Sequence, residues 1–289
     1  MTETPLSFDA LLPPEMARRA EELGVRKAAI DTWSMLTLAV LAGAFIALGG
    51  VFSTVALAGA GDAPWGAVRV LAGVAFSVGL ILVVVGGAEL FTGNTLIVMA
   101  RASGRVGTGA LLRNWLIVYV GNFLGAGSVA VGVFVARSHE FGAGAFGASA
   151  LTIAAGKLRF EFVQAVALGV LCNALVCLAI WMSYSARTTT DRVLVIVPPI
   201  AAFVAAGFEH SVANMYFVPL GLFIAALDPG FIAAQGLTAQ AQSLTWWGFL
   251  AHNLLPVTIG NIIGGTALVG AVYWFIYLRP AGQVPPRSR

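Results

Sequence analysis

Six long apolar stretches constrain what this chain can fold into. They cover approximately residues 33–58, 66–100, 114–136, 161–184, 193–226 and 248–278. Each is longer than the roughly 18 residues that indicate a membrane-spanning helix. Charged residues make up only 10% of the chain and hydrophobic residues 59%, which leaves too few polar side chains to cover a soluble fold of this size. The sequence therefore predicts an all-α integral membrane protein with six spans in a lipid bilayer.

The distribution of basic residues predicts the orientation. Of the 16 Lys and Arg residues, 12 lie in the N-terminal segment, the second and fourth loops and the C-terminal tail. The other four are Arg69, Arg137, Lys157 and Arg159. The positive-inside rule then predicts that both termini are cytoplasmic. We expect a cytoplasmic segment at 1–30, a single six-span domain at 31–280 and a cytoplasmic tail at 281–289.

The N-terminal segment carries the signals of an amphipathic helix from about Pro14 to Lys27. Proline favours the first turn of a helix, Glu15 follows in that turn, and Arg26 and Lys27 stand at the other end. Acidic residues near the start of a helix and basic residues near its end stabilise the helix dipole.

The second and fifth apolar stretches are too long for one straight span. They contain 35 and 34 residues, which would reach about 50 Å as helices against a hydrocarbon core of about 30 Å. Both carry glycine and polar residues at mid-length, at 86–94 and 207–214. Non-helical backbone at membrane depth is tolerated only where protein or a water-filled cavity satisfies it. We predict that spans two and five are broken helices that meet inside the protein.

The two halves of the chain repeat the same spacings. In each broken span a glutamate precedes an asparagine by five positions, at Glu89 and Asn94 and again at Glu209 and Asn214. Spans three and six share Asn-x₆-Gly-Asn-x-x-Gly, at 114–125 and 253–264. Three spans per repeat is an odd number, so the second copy is predicted to lie upside down in the membrane. Inverted repeats with one broken helix each are typical of a pore or carrier with its site near the midplane.

Three motifs resemble the signatures of the formate/nitrite transporter family: Gly-Ala-Glu-Leu-Phe-Thr-Gly-Asn at 87–94, Gly-Phe-Glu-His-Ser-Val-Ala-Asn-Met at 207–215 and Ile-Gly-Asn-Ile-Ile-Gly-Gly at 259–265. Residues 172–182 are similar to the family as well, and residues 8–17 resemble its formate-channel branch. The resemblance implies an aquaporin-like protomer, a homopentamer with one anion pore per protomer, and formate as substrate. Residues 89–93 instead resemble nitrite-type members, so nitrite or another weak-acid anion (acetate, lactate or hydrosulfide) stays open as an alternative.

His210 is the first candidate for the substrate pathway. It lies at the break of span five, and ionisable residues inside a membrane usually mark a transport path. Imidazole can hand a proton to a small carboxylate near neutral pH. Thr92, at the matching break of span two, can donate a hydrogen bond to the same oxygen. We therefore expect both side chains to contact the anion.

The remaining pathway residues follow from the resemblance. It implies an aromatic constriction on the periplasmic side, made by Phe76 and Phe203. The cytoplasmic constriction is implied to consist of Leu80, Leu90 and Val212.

Lys157 and the polar residues of the breaks complete the candidate site. Lys157 alone would be interpreted as an exposed loop residue, but the resemblance matches it to a lysine that points toward the pore near Asn173, where a cation would attract anions. Glu89, Asn94, Glu209 and Asn214 are expected to hold the broken loops, with the carboxylates accepting from freed backbone N–H groups.

Other classes of function lack their minimum features. A neutral-solute channel of the aquaporin type needs Asn-Pro-Ala at both half-helix tips, but Asn94 and Asn214 are not followed by proline. No nucleotide, zinc or nucleophile motif is present. Glu209 and His210 alone do not make an enzyme site. The two cysteines share one apolar run and the basic residues form no stripe. We therefore expect no cofactor, no metal, no catalysis and no nucleic-acid partner, and leave any soluble partner open.

Overall fold

The computed structural model describes residues 10–279, and every regular element within that range is a helix. The first residues of the predicted N-terminal segment and the predicted tail at 281–289 lie outside the described residues. Residues 8 and 9 of the motif at 8–17 lie outside them too.

The N-terminal segment forms the predicted helix, α1 (Pro13–Ala29), slightly longer at both ends. The Glu15 carboxylate accepts a hydrogen bond from the Leu12 N–H at 3.0 Å, which satisfies one of the free donors at a helix start. Met16, Ala17 and Ala20 are buried against neighbouring spans. The helix therefore lies along the membrane domain instead of extending away from it.

Six helices are long and apolar enough to cross a membrane, which confirms the predicted number of spans. They are α2 (Thr32–Leu57), α3 (Trp65–Gly86), α6 (Thr108–Val135), α8 (Phe162–Ser185), α9 (Thr189–Ala206) and α13 (Gly248–Tyr277). The last of these contains two stretches of π-helical turns, at Gly248–Leu254 and Gly264–Ala271.

Spans two and five are broken, as predicted. Helix α3 ends at Gly86, and Gly87 has φ of 78°. Helix α4 (Phe91–Asn94), a 3₁₀ turn (Thr95–Ile97) and α5 (Val98–Ala102) then complete the second span. In the same way, α9 is followed by Gly207 with φ of 77° and by α10 (Ser211–Leu227). Glycine adopts positive φ without the steric cost of a Cβ, so each break begins at a residue suited to ending a helix.

The segment between spans three and four holds a helix that hydropathy alone does not reveal. After a 3₁₀ turn (Ser138–Glu140), α7 (Ala145–Lys157) packs against α10. Two short helices, α11 (Pro229–Ala234) and α12 (Thr238–Gln242), connect α10 to α13. At 13 residues, α7 is only about 20 Å long, too short to cross a bilayer. It instead covers one end of the bundle.

Glycines spaced four residues apart let paired spans touch along their backbones. A Cβ added to Gly125 of α6 would lie 1.9 Å from the Val40 carbonyl oxygen of α2. A Cβ added to Gly264 of α13 would lie 2.2 Å from the Val170 carbonyl oxygen of α8. The first and third spans of each half thus pack in corresponding ways. The opposite orientation of the two halves in the bilayer stays a prediction.

Candidate functional site

The two broken spans meet at a hydrogen bond between His210 and Thr92. The distance from His210 Nε2 to Thr92 Oγ1 is 2.9 Å, and both residues are buried. Their positions are 118 residues apart in the sequence. The structure therefore brings together the two side chains that were predicted to contact the same anion.

The hydrogen bonds of His210 define its neutral tautomer. The residue caps α10, because its Nδ1 accepts a hydrogen bond from the Ala213 N–H at 3.1 Å. A neutral imidazole with Nδ1 as acceptor carries its hydrogen on Nε2. The ring then donates to Thr92 Oγ1, which leaves the hydroxyl hydrogen of Thr92 available to a further acceptor.

An aromatic layer covers His210 on one side. The rings of Phe76 and Phe203 meet edge to face with centroids 5.7 Å apart. The Phe203 ring also stacks on the imidazole of His210 at 6.0 Å, and Phe217 stacks on Phe76. The two predicted phenylalanines therefore form one closed contact directly above the histidine.

The three residues predicted for the second constriction are also buried near the breaks. Leu80 lies one turn further along α3 than Phe76, Leu90 directly precedes α4, and Val212 lies in the first turn of α10. All three belong to the same apolar core as the aromatic layer. Polar donors at the centre are thus enclosed by apolar side chains.

A cluster of one lysine, one glutamate and two asparagines supports the first break. Glu89 accepts from Lys27 Nζ at 2.7 Å and from Asn94 Nδ2 at 2.7 Å. Asn94 Nδ2 also donates to the Asn114 side chain at 2.9 Å. Lys27 belongs to α1, so the N-terminal helix is tied directly to the break.

The second break has a matching cluster. Glu209 accepts from Lys157 Nζ at 2.9 Å and from Asn214 Nδ2 at 2.7 Å. Asn214 Nδ2 also donates to the Asn253 side chain at 2.7 Å. Lys27, Asn114 and Asn253 were not predicted as part of the site, although the shared spacing of spans three and six marked both asparagines.

The predicted partners of the two glutamates were wrong. Their carboxylates bind lysine and asparagine side chains, not freed backbone N–H groups. The freed N–H groups donate hydrogen bonds to two other asparagines. The Phe91 N–H donates to Asn122 Oδ1 at 2.8 Å, and the Ser211 N–H donates to Asn261 Oδ1 at 2.9 Å. An asparagine oxygen satisfies such a donor without placing a second negative charge beside the glutamate.

Lys157 is not an exposed loop residue, because it ends α7 and its side chain is only 14% exposed. Its ammonium lies 5.3 Å from the centroid of the Phe217 ring and pairs with Glu209. Asn173 makes other contacts: its amide donates to the backbone oxygens of Thr92 at 3.2 Å and Asn261 at 2.6 Å. Asn173 of α8 therefore connects the first broken span to α13.

A cavity of about 940 Å³ leads to the aromatic layer. It lies at the end of the bundle where α2 finishes and α7 packs, opposite α1. Its lining includes Phe76, Phe203, His210, Lys157 and Arg69. The cavity therefore forms a vestibule that ends at the buried histidine.

One group among the described residues offers metal-ligand atoms within 4.8 Å of one another: His139, Glu140 and Asp228. Its members already have partners, since His139 Nε2 bonds Asp228 at 3.0 Å and Glu140 pairs with Arg137. Asp228 also caps α11 through the Phe231 N–H. Hydrogen bonds from this N–H and from His139 lower the pKa of Asp228 below its ordinary value. We interpret the group as a structural cluster that stabilises the segments next to α7.

Comparisons with known proteins agree on one family. The family model described as "Formate/nitrite transporter" matches residues 14–275. "Formate channel FocA" of Escherichia coli K12 is 47% identical over 94% of this chain and 96% of its own length. "Formate channel FocA" of Haemophilus influenzae is 40% identical over 92% of this chain and 94% of its own length. A solved structure, "Pentameric formate channel with formate bound", matches with a TM-score of 0.81 and 45% identity, over 86% of this chain and 98% of that one.

Proposed function

The chain belongs to the formate/nitrite transporter family, and from this premise we propose that it is a homopentameric formate channel with one pore per protomer. The observation that carries the proposal is the His210–Thr92 pair, buried where two half-helices meet behind an aromatic layer. The named formate channels among its relatives and the formate-bound pentamer that it resembles support the substrate and the assembly.

The geometry explains how a small anion could pass an apolar constriction. An unpaired anion loses its hydration there at a cost of several kcal/mol or more. Helices α4 and α10 both begin beside the contact between Thr92 and His210, so the positive end of each helix lies near it. The free hydroxyl hydrogen of Thr92 adds a direct donor. Together these groups replace part of the water that the anion leaves behind.

A proton relay through His210 is the second part of the proposal. His210 becomes an imidazolium when Nδ1 releases the Ala213 N–H and takes up a proton from water in the vestibule. The Nε2 proton can then pass to Thr92 Oγ1 while the Thr92 hydroxyl proton passes to the carboxylate oxygen. The products are formic acid, which crosses an apolar constriction more easily than formate does, and neutral imidazole with its hydrogen on Nδ1. The resting tautomer returns when Nε2 takes up a proton and Nδ1 loses one.

The proposed orientation places both termini in the cytoplasm and the vestibule on the periplasmic side of the cytoplasmic membrane. The excess of basic residues on the α1 side supports this orientation. The Lys27–Glu89 ion pair supports a gating role for α1, because any movement of α1 is transmitted to the first break. The relatives are channels and transporters by name, which points away from catalysis.

The test is flux through the purified protein in proteoliposomes. Radiolabelled formate and nitrite are loaded in turn and their release rates compared, with protein-free liposomes as the control. Faster release of formate supports the proposal. Faster release of nitrite would favour the nitrite alternative suggested by residues 89–93, and no release of either anion would refute a channel function.

A further inference from the structure

The side chains that line the vestibule carry more positive than negative charge. Among the described residues that line it, Arg69, Lys157 and Glu209 carry formal charge. Lys157 and Glu209 form an ion pair at 2.9 Å, so each largely cancels the other. Arg69 forms no ion pair with a described carboxylate within 4 Å, and the more distant charge of Glu209, which also acts on it, is already paired with Lys157. The net positive charge of the vestibule therefore comes from Arg69.

Arg69 is held at the break by neutral acceptors. It extends from α3 to the end of α9, where Nε donates to the Ala205 carbonyl at 3.3 Å and Nη2 to the Val204 carbonyl. These carbonyls belong to the negative end of a helix dipole. Without Arg69, that end would repel an anion approaching the aromatic layer.

One nitrogen of the Arg69 guanidinium is available to donate hydrogen bonds to a ligand. Nη1 makes no hydrogen bond to any described residue, and Arg69 is half-buried in the vestibule wall. A guanidinium is weakly hydrated, and its planar donors suit carboxylate oxygens. Half-burial limits screening by water, so its attraction for an anion persists more than that of a surface charge.

We propose that Arg69 forms an outer anion-binding site in the vestibule, which takes small monovalent carboxylates before they reach Phe76 and Phe203. This site deepens the proposed function and rests on it. Lys157 is also expected to attract anions, but its ammonium is paired with Glu209, so we assign the larger share of the attraction to Arg69.

The test measures initial formate uptake into proteoliposomes against formate concentration for Arg69→Gln. Glutamine keeps an amide donor for the α9 carbonyls but removes the charge. At about 10 mM ionic strength we expect the half-saturating concentration to rise roughly two- to tenfold with little change in maximal rate. In about 0.5 M sodium gluconate the difference should shrink, because the Debye length falls from about 30 Å to a few ångströms.

Arg159→Gln is the matched control. It makes the same charge change at an exposed residue on the same side of the protein but outside the vestibule lining. Arg69→Lys should stay close to wild type. Arg69→Met, which keeps an unbranched aliphatic side chain but removes the charge beside the Trp65 ring, should behave like Arg69→Gln.

The outcomes separate this site from the channel function. If wild type transports formate but Arg69→Gln matches Arg159→Gln at low ionic strength, the outer site is refuted and the channel stands. If neither neutral variant assembles, Arg69 serves only to cap α9 and the site is also refuted. If wild type moves no formate, the proposed function itself has failed.

Discussion

Both ring nitrogens of His210 are occupied, and this constrains what the residue can do. Nδ1 accepts the Ala213 N–H and Nε2 bonds the Thr92 hydroxyl. A histidine that only stabilised the break would need the first bond alone. The second bond connects the ring to a hydroxyl that can reach an anion, so single substitutions can separate the structural role from the transport role.

Replacing His210 by asparagine should remove the formate uptake that depends on low external pH. Asparagine is a favoured helix N-cap, so α10 should keep its start while the titratable group is lost. Outward leak of the anion should survive, because a polar side chain remains in the path. Uptake across pH 5 to 8, normalised to assembled protein, measures the effect, and His210→Phe should also lose it.

His252→Asn provides the control for this experiment, since His252 is exposed. A wild-type pH profile in His210→Asn would remove His210 from the mechanism. A parallel loss of pentamer yield and thermal stability would instead assign the histidine a structural role.

Thr92→Ala should slow formate movement in both directions. Losing a hydrogen bond to a charged group costs about 1.5–3 kcal/mol, equivalent to roughly a ten- to hundredfold change. Thr92→Ser keeps the hydroxyl and should retain most of the flux. The two variants are compared in influx and efflux assays. Equal rates for Thr92→Ala and Thr92→Ser would show that the hydroxyl does not contact the anion.

Asp228→Ala should lower thermal stability near neutral pH, since it removes the cap of α11 and the bond to His139. The expected loss is about 1–2 kcal/mol. Because the pKa of Asp228 is lowered in the folded protein, its contribution is present above about pH 4 and disappears as the pH falls through the folded pKa. Melting temperatures at pH 7 and pH 3 test this, and an equal deficit at both would contradict it.

At the scale of secondary structure, the broken spans depend on elements that are distant in sequence. Lys27 of α1 supports the first break, and Lys157 at the end of α7 supports the second. Each lysine lies outside the span that it supports. A movement of α1 or α7 therefore changes the environment of a break, whereas a movement of a lipid-facing span need not.

Deleting residues 1–28 should alter formate flux or its pH response while leaving the pentamer assembled. The deletion removes α1 and leaves Glu89 buried without Lys27, and an unpaired buried charge is destabilising. Adding Glu89→Gln to the deletion removes that charge and so separates gating from stability. Flux is measured across pH 5 to 8 in both variants. Unchanged transport at every pH would show that α1 has no gating role and only attaches the N-terminal segment to the membrane domain.

At the scale of the whole molecule, the surface is apolar around most of the bundle. Exposed large hydrophobic residues occur on all six spans, among them Trp33, Leu116, Val163 and Ile276. Contiguous apolar surface of this kind must contact lipid or other protomers. The residues proposed for the pathway are buried at the breaks and on the adjoining parts of α3 and α9, which leaves the outer faces free for assembly.

Native mass spectrometry in mild detergent should show a species near five times the 29.9 kDa of one chain. Neighbouring protomers can bury the outer apolar faces without blocking the vestibule, which opens at the end of the bundle. A stable dimer or trimer as the largest species would contradict the proposed pentamer.

The sequence by itself determined the six spans, the two breaks and the paired motifs. Each depends on local properties: an apolar stretch must be helical in lipid to satisfy its backbone, and glycine permits the positive φ at Gly87 and Gly207. The motifs also identified His210, Thr92 and the two glutamates as candidates, because ionisable groups are costly in a membrane and are rarely there without a partner or a role.

Only the tertiary structure decided which side chains pair with the two buried glutamates. Lys27 and Glu89 are 62 positions apart, and Lys157 and Glu209 are 52 apart, so their pairing depends on how helices pack and not on local pattern. The packing of α7 also required the fold, because its 13 residues are too few to be recognised as a membrane span. The contact of Arg69 with the end of α9 joins residues 136 positions apart. Electrostatic balance in a cavity depends on distances in space, and so the sequence could point to Lys157 as an attracting cation but could not show that Glu209 pairs with it.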